Sequence, residues 1–222
     1  MTNLRQTSVL LADIGNSRIH LYDGSEVLHL TYDEALARFG DRRVYYISVK
    51  AGIEATLAAY PSWENVSHLM ELPGSYETMG VDRKALCLSR DNAVFVDAGS
   101  AVTVDVMRRG VYEGGFILPG LAAYRDAYAR ISPALDTPLD TDVSLVRLPR
   151  TTEAQISYGI IASIKTLVES TLGSLPLYVT GGDGEVVASF FKRAVFDETL
   201  LFKGMRYALE AAGKIPYDTH TR

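Results

Sequence analysis

The stretch that decides the fold is residues 93–120, AVFVDAGSAVTVDVMRRGVYEGGFILPG. Its apolar, β-favouring residues fall into three runs, at 93–96, 102–107 and 111–118. Short turn sequences that contain glycine separate the runs, so the pattern predicts three consecutive strands joined by tight turns. At the first turn a carboxylate at a strand end precedes a glycine and a hydroxyl. That residue pattern suits a site for phosphate and a metal ion.

The residues of this first turn are Asp97, Gly99 and Ser100. The glycine lets the backbone approach phosphate oxygens closely, and the turn points amide N–H groups toward them. The carboxylate can hold a hydrated cation beside the same phosphate. The turn is therefore a candidate element for binding a nucleotide or another phosphorylated ligand.

A second copy of the template lies near the start of the chain. Residues 10–24, LLADIGNSRIHLYDG, and 94–110, VFVDAGSAVTVDVMRRG, share an apolar strand, Asp-x-Gly, a small polar residue, a second strand and a glycine turn. Asp13 and Asp97 head the two copies, which indicates an internal repeat at the scale of a domain. The alternative is two unrelated hairpins, because Asp-x-Gly is common in turns.

A third glycine-containing element follows at residues 178–182, YVTGG. Here a predicted strand runs directly into Gly181 and Gly182. Paired glycines leave bare backbone at the strand end, and a flat ligand such as a nucleobase with its ribose can lie against it. This element favours the repeat over two unrelated hairpins.

Outside these elements the chain alternates strands and helices, which is the order of an α/β protein. Further strands are expected at 8–12, 18–22, 27–32, 44–49, 66–72, 177–180 and 200–202. Helices are expected at 33–39, 51–60, 82–89, 121–131, 151–172, 185–193 and 203–212. Because the two halves begin alike, we expect two domains, at 1–92 and 93–222.

Composition excludes several classes of function. The 222 residues carry a net charge of −5, and no cluster of lysine and arginine is interleaved with aromatics, so a main task in nucleic-acid binding is not expected. Cys87 is the only cysteine, which rules out an intramolecular disulfide and favours a buried structural thiol in a reducing compartment. The sequence shows neither a signal-peptide pattern nor an apolar run of membrane-spanning length. We therefore expect a cytoplasmic protein with no membrane partner.

Several familiar catalytic motifs are absent from the sequence. There is no P-loop and no G-x-G-x-x-G fingerprint after a strand. The serines considered as nucleophiles have no histidine nearby in sequence; they are Ser17, Ser100 and Ser157. The histidines show no metal-ligand spacing; they are His20, His29, His68 and His220.

Two Asp-x-Gly hairpins followed by a Gly-Gly strand end resemble the acetate and sugar kinase, Hsp70 and actin superfamily. The resemblance implies two ribonuclease-H-like domains, α/β units with mixed sheets flanked by helices, that close over ATP. Within that superfamily, six segments in order look like type III pantothenate kinase. They are DIGNSR at 13–18, GVDR at 80–83, DAGSAVTVD at 97–105, GGFILPG at 114–120, TTEAQISYG at 151–159 and TGGDG at 180–184.

This resemblance implies an enzyme, a phosphotransferase that uses ATP to convert pantothenate to 4'-phosphopantothenate in the first step of coenzyme A biosynthesis. It also implies Mg²⁺, a monovalent cation (K⁺ or NH₄⁺) and a homodimer. Asp13 would face the metal ion and Asp97 would hold the monovalent cation. The residues implied in ATP binding are Asp13, Ile14, Gly15, Asn16, Ser17, Arg18, Ser100, Gly181 and Gly182.

The resemblance also assigns the acceptor site. Asp82 is implied as the general base, and Arg83 as the partner of the substrate's carboxylate, a task suited to a guanidinium fork. Tyr76 would lie against pantothenate, and Thr152 would reach it from the partner subunit. The full set implied in substrate binding is Tyr76, Gly80, Val81, Asp82, Arg83 and Thr152.

Three alternatives stay open at the level of sequence. Asp82 precedes a helical pattern and could serve as a helix N-cap instead of a base. The chain could be an ATP-binding regulator on the same fold, which would not need a base. It could also be a phosphohydrolase, which would use water and leave Arg83 and Tyr76 without a role.

Overall fold

The computed structural model describes residues 9–217. Its strands are β1 Leu10–Ile14, β2 Ile19–Tyr22, β3 Val27–Leu30, β4 Val44–Ser48, β5 Trp63–Asn65, β6 Ala93–Ala98, β7 Ala101–Arg108, β8 Val111–Pro119, β9 Leu177–Thr180 and β10 Ala194–Phe196. Its helices are α1 Tyr32–Phe39, α2 Ile53–Leu57, α3 Val81–Leu88, α4 Leu121–Ile131, α5 Thr152–Leu172, α6 Gly184–Ser189 and α7 Leu200–Ala211. They form two compact units, one up to Asp91 together with the residues from Thr199 onward, the other Asn92–Glu198.

The first unit is a mixed five-stranded sheet in the order β3-β2-β1-β4-β5. β1, β2 and β3 are antiparallel neighbours, whereas β4 and β5 run parallel to β1. Apolar residues of α1 and α2, among them Ala35 and Ile53, pack with Ile14 and its neighbours into one core. α3 and α7 pack against each other, so the sheet is flanked by helices.

The second unit is a mixed five-stranded sheet in the order β10-β9-β6-β7-β8. Its core joins alternate residues of β6 and β7 to one face of α5. The α5 residues in this core follow helical spacing; they are Ile156, Ile160, Ile164 and Val168. Long as α5 is, neither it nor another helix of residues 9–217 combines the length and apolar character needed to cross a membrane.

The two sheets have the same topology. In each, three antiparallel strands come first in sequence, and two strands that follow run parallel to the first strand. The repeat read from the two Asp-x-Gly segments is therefore a repeat of whole units. The predicted fold class is confirmed: two ribonuclease-H-like α/β units, each with a mixed sheet flanked by helices.

Some predicted elements were wrong in type or extent. Residues 66–72 are not a strand. The strand that pairs with β4 at the edge of the sheet is β5, which ends before them, and a single 3₁₀ turn follows at Ser67–Leu69. Residues 200–202 are the first turn of α7 and not a strand, because their apolar run continues at helical spacing into Met205 and Leu209. Strand β1 begins at Leu10, and Ser8 and His220 lie outside the described residues.

The second compact unit also ends earlier than the domain expected at 93–222. It stops at Glu198, and the chain from Thr199 groups with the first unit. The reason is the crossing of α3 and α7, where a Cβ on Gly204 would lie 1.7 Å from the carbonyl oxygen of Ala85. Only glycine permits that approach, and it binds α7 to the first unit. Cys87, on α3, is buried, as the sequence predicted.

Candidate active site

The first Asp-x-Gly hairpin places its carboxylate at the end of the first sheet. Asp13 is the penultimate residue of β1 and is half-buried, with Oδ1 fully enclosed. It lies opposite His20 on β2 and Ile47 on β4. This is the carboxyl end of the parallel pair β1 and β4, the edge at which α/β sheets bind ligands.

A four-residue loop, 15–18, joins β1 to β2. Its ends are closed by the Gly15 N–H, which donates to the Arg18 carbonyl oxygen at 3.0 Å. Asn16, Ser17 and Arg18 are exposed, so the loop presents polar groups to solvent. Ile14, by contrast, is buried in the core, and a ligand could contact only its backbone.

Two side chains that sequence reasoning missed hold this loop. Tyr32 donates its hydroxyl to the Gly15 carbonyl oxygen, and Lys50 Nζ donates to the Asn16 carbonyl oxygen at 3.2 Å. The Lys50 ammonium also lies 4.4 Å from the centre of the Tyr32 ring. The one signal available in the sequence was position: Lys50 directly follows a predicted buried strand, where ligand-binding residues of α/β sheets collect.

The second hairpin places Asp97 at the same position of its own sheet. Asp97 is the penultimate residue of β6, and a two-residue turn of Gly99 and the exposed Ser100 leads into β7. Its cross-strand neighbours are Thr103 on β7 and Thr180 on β9. The carboxylate thus lies between two strands that each bring a hydroxyl-bearing residue.

The Gly-Gly strand end approaches the same carboxylate. Gly181 has φ +93°, and a Cβ there would lie 2.4 Å from Asp97 Oδ1 and 2.5 Å from the Ala98 carbonyl oxygen. Close packing inside the second unit therefore explains why residue 181 is a glycine. Gly182 differs, because a Cβ there would meet no atom within 4 Å. It borders open space, as a backbone surface for a flat ligand requires.

Residues 80–83, which the sequence predicts to bind pantothenate, lie at the start of α3. Val81 is the first residue of this helix. Gly80 is the N-cap, so the alternative of Asp82 as N-cap is not what the structure has. Asp82 folds back over Gly80, where a Cβ would lie 2.4 Å from its Oδ1, and the same oxygen accepts the Arg83 N–H at 2.8 Å. The Asp82 carboxylate and the Arg83 amide group lie together at the helix start.

The structure brings Tyr76 and Arg83 together. Arg83 Nη1 donates to Tyr76 Oη at 2.7 Å, and the guanidinium carbon lies 6.0 Å from the centre of the Tyr76 ring. Arg83 is only 7% exposed, whereas Tyr76 is 45% exposed. A guanidinium stays charged at this degree of burial, so Arg83 presents a fixed positive charge beside an accessible aromatic ring.

Thr152 is the first residue of α5 and is exposed. The helix is capped by its neighbour Thr151, whose hydroxyl accepts the Ala154 N–H at 3.4 Å. The cap does not use the Thr152 hydroxyl, which leaves that group for other contacts.

The donor atoms of both hairpins fit hard cations. Residues 9–217 contain no cluster of three or more His, Cys, Asp or Glu side chains that could hold a metal ion. A single carboxylate such as Asp13 suits Mg²⁺, which keeps several waters and takes phosphate oxygens as ligands. The cross-strand neighbours of Asp97, Thr103 and Thr180, both carry hydroxyl oxygens, and Thr103 Oγ1 is a buried atom with no hydrogen-bond partner among the described residues. Such a set fits a monovalent cation.

Comparison with known proteins shows the family of the chain. The family model for type III pantothenate kinase matches residues 62–173, a range that includes Tyr76, Asp82, Asp97 and Thr152. A type III pantothenate kinase of Helicobacter hepaticus is 43% identical over 203 residues, which cover 91% of this chain and 98% of that protein. One of Campylobacter jejuni is 34% identical over 209 residues, covering 94% and 100%. The chain belongs to the type III pantothenate kinase family.

Solved structures extend the comparison to the fold of this type III pantothenate kinase family member. A Campylobacter jejuni crystal structure, described as a Baf family transcriptional activator, superposes with a TM-score of 0.84 at 35% identity, covering 93% of this chain and 100% of that one. A structure described as a 2-dehydro-3-deoxygalactonokinase from Sinorhizobium meliloti gives a TM-score of 0.57 at 12% identity, covering 93% and 100%. The second likeness shows a shared fold alone.

Proposed function

We propose that this chain transfers the terminal phosphoryl group of ATP to the primary hydroxyl of pantothenate, giving 4'-phosphopantothenate and ADP at the start of coenzyme A synthesis. The observation that carries the proposal is the contact between Arg83 and Tyr76. Arg83 is buried and directly follows Asp82 in the chain, and Tyr76 is accessible. A guanidinium fork, an aromatic surface and a carboxylate at one helix start match an acceptor that has both a carboxylate and a hydroxyl.

In the proposed reaction Asp82 accepts the proton of the pantothenate hydroxyl. The hydroxyl oxygen forms a bond to the terminal phosphorus, and the bond between that phosphorus and the oxygen of the leaving ADP breaks. A positioned base of this kind contributes about 10²–10⁴-fold to the rate. Arg83 and Tyr76 fix the acceptor, because phosphoryl transfer depends mainly on alignment and charge neutralisation.

The nucleotide contacts are proposed for both hairpins. Backbone N–H groups of the 15–18 loop and the Ser100 hydroxyl would bind phosphate oxygens, and the open backbone at Gly182 would lie against the adenosine. Mg²⁺ bound near Asp13 would supply positive charge to the phosphates. A monovalent cation, K⁺ or NH₄⁺, would bind at Asp97, supported by the oxygen donors around that carboxylate.

A homodimer and a cytoplasmic location complete the proposal. The dimer is supported by the exposure of apolar residues on the second unit, of which Val146 and Leu148 are 90% and 79% exposed. Thr152, with its exposed hydroxyl, would then contact pantothenate bound to the partner subunit. A sedimentation measurement tests the dimer, and a mass of one chain at micromolar concentration would contradict it.

A coupled assay for ADP, with and without pantothenate, tests the proposed activity. We expect ADP release from ATP and Mg²⁺ to depend on pantothenate, and 4'-phosphopantothenate to accumulate in equal amount. Release without pantothenate would instead indicate a phosphohydrolase.

A regulator that binds ATP without transferring phosphate is the second candidate. The observation in its favour is the structure at 35% identity that is described as a transcriptional activator. A regulator would bind ATP and release no ADP under either condition of the assay. The same experiment therefore separates it from the kinase.

A further inference from the structure

Lys50 places a positive charge directly on the loop of the first hairpin. Its Nζ lies 3.2 Å from the Asn16 carbonyl oxygen and 4.4 Å from the centre of the Tyr32 ring. Among residues 9–217 its ammonium makes no ion pair with a carboxylate. A half-buried lysine held by a carbonyl and an aromatic face can present its ammonium group to an anionic ligand.

The backbone beneath Lys50 is tied to the end of β1. Ser48 Oγ accepts the Lys50 N–H at 3.0 Å and donates to the Ile14 carbonyl oxygen at 3.3 Å. The Val49 N–H donates to the same carbonyl oxygen at 3.2 Å. The turn that carries Lys50 is thereby fixed to the strand that carries the phosphate-binding loop, so lysine and loop keep their relative position.

Tyr32 completes the support from the other side. Its hydroxyl donates to the Gly15 carbonyl oxygen while its ring faces the Lys50 ammonium. The carbonyl oxygens of Gly15 and Asn16 are therefore both occupied by side chains of the protein. With these carbonyls held, the peptide planes of the loop have one preferred orientation, which is what a preformed anion site needs.

Hydrogen-bonding capacity and charge indicate what this lysine binds. An ammonium group has three N–H donors, and one is used by Asn16, which leaves two for a ligand. The chain carries a net charge of −5, and a nucleotide triphosphate adds further negative charge beside Asp13. A positive side chain beside the loop favours the binding of phosphates there.

We propose that Lys50 is a phosphate-binding residue of the nucleotide site and that Tyr32 is its positioning residue. This inference rests on the proposed use of ATP. Lys50 bridges the loop carbonyl and a phosphate oxygen, so its contribution depends on the phosphates and not on the base or the ribose.

Calorimetric titration of the full chain with ATP and with adenosine tests the inference. We expect Lys50→Met to weaken ATP binding about tenfold, the scale of one hydrogen bond to a charged group, and to leave adenosine binding unchanged. Lys50→Arg should restore most of the ATP affinity because it restores the charge. Lys214→Met is the matched control, since Lys214 pairs with Glu64 at 2.6 Å on the same unit.

Tyr32 variants separate the ring from the hydroxyl. Tyr32→Phe keeps the ring against the ammonium, so a smaller loss of ATP affinity is expected than for Tyr32→Leu, which removes both contacts. Adenosine binding should stay constant in both variants, which a general loss of structure would not allow.

Three outcomes overturn the inference. ATP binding by Lys50→Met that equals the unsubstituted chain shows that the ammonium does not bind phosphate, while the proposed kinase activity still stands. Equal losses for ATP and adenosine show a purely structural role. If the unsubstituted chain binds no ATP, the proposed function fails together with the inference.

Discussion

The two Asp-x-Gly hairpins have the same strand topology but differ in what surrounds the carboxylate. Asp13 and Asp97 are both the penultimate residue of the first strand of their sheet. Asp13 is followed by a four-residue loop and lies opposite His20, whereas Asp97 is followed by a two-residue turn and lies between Thr103 and Thr180. The same backbone arrangement thus places the two carboxylates in different chemical environments.

The difference indicates a division of labour within one repeated element. The longer loop exposes a run of polar residues and is held from outside by Tyr32 and Lys50, which suits the binding of phosphates. The second hairpin has a shorter turn, and its Asp97 lies between two strands that each bring a threonine hydroxyl, which suits a bound cation. We therefore expect equivalent substitutions in the two hairpins to have different effects.

The largest difference is expected between Asp13→Asn and Asp97→Asn. Loss of the Asp13 charge should lower kcat about 10²–10³-fold and raise the Mg²⁺ concentration that the reaction requires. The reason is that the carboxylate would no longer hold the Mg²⁺ charge beside the transferring phosphate. Loss of the Asp97 charge should chiefly abolish the response of the rate to K⁺ or NH₄⁺. Steady-state rates titrated with each cation measure both effects, and the same pattern in the two variants would contradict the division of labour.

The Gly-Gly strand end offers a matched pair beside Asp97. Gly181→Ala forces a Cβ to 2.4 Å from Asp97 Oδ1 at φ +93°, so a loss of about 1–3 kcal/mol in the free energy of unfolding is expected. Gly182→Ala meets no atom within 4 Å and should leave stability unchanged while raising the KM for ATP. Urea unfolding and steady-state kinetics distinguish the two, and an equal loss of stability would be the contrary result.

A second glycine pair compares the packing of the two turns. A Cβ on Gly120 would lie 2.3 Å from the Gly99 carbonyl oxygen, whereas a Cβ on Gly15 would lie 3.5 Å from the Arg18 carbonyl oxygen. We expect Gly120→Ala to cost about 1–3 kcal/mol in the free energy of unfolding, and Gly15→Ala to stay within about 0.5 kcal/mol. Chemical denaturation of both variants checks this, and a reversed order would show that the first loop is the tighter one.

The smallest effect concerns pH at the first hairpin. His20 and His29 share a hydrogen bond of 2.7 Å between their Nδ1 atoms. Burial, the charge of His29 and the charge of Arg18 lower the pKa of His20 below its usual 6.5. Because His20 then binds a proton at lower pH when folded than when unfolded, this part of the stability is complete above pH 6.5 and is lost as pH falls through the folded pKa.

Thermal unfolding as a function of pH measures this dependence. In His20→Gln the loss of stability below pH 6.5 should become shallower than in the unsubstituted chain, while His68→Gln, outside the hairpin, should leave it unchanged. An identical pH profile in His20→Gln would show that the histidine pair has no part in it.

Sequence alone predicted the repeated topology because period-two apolar runs and Asp-x-Gly turns are local signals. Residues 200–202 were mistaken for a strand because a run of three apolar residues suits a strand as well as a buried helix. The place of α7 depends on the approach of Gly204 to Ala85, which lies more than a hundred residues away in the chain. Such contacts leave no local signal.

Sequence alone also predicts only part of the candidate site, because one of its contacts joins residues that are distant in the chain. Asp13, Asp97 and the 80–83 segment belong to short recognisable motifs, and the structure places each at a strand end or a helix start. Lys50 belongs to no motif and reaches the loop from 34 positions away in the chain. Its role depends on the parallel pairing of β1 with β4, which only the structure reveals.

The central claim is that the hairpins hold the nucleotide while Asp82, which belongs to neither, accepts the proton. Pantothenate-dependent ADP release by Asp82→Asn, with ATP binding measured on the same preparation, tests this most directly. We predict a loss of turnover of about 10²–10⁴-fold with ATP affinity nearly unchanged. Near-normal turnover in Asp82→Asn, with ATP bound as in the unsubstituted chain, would contradict the account.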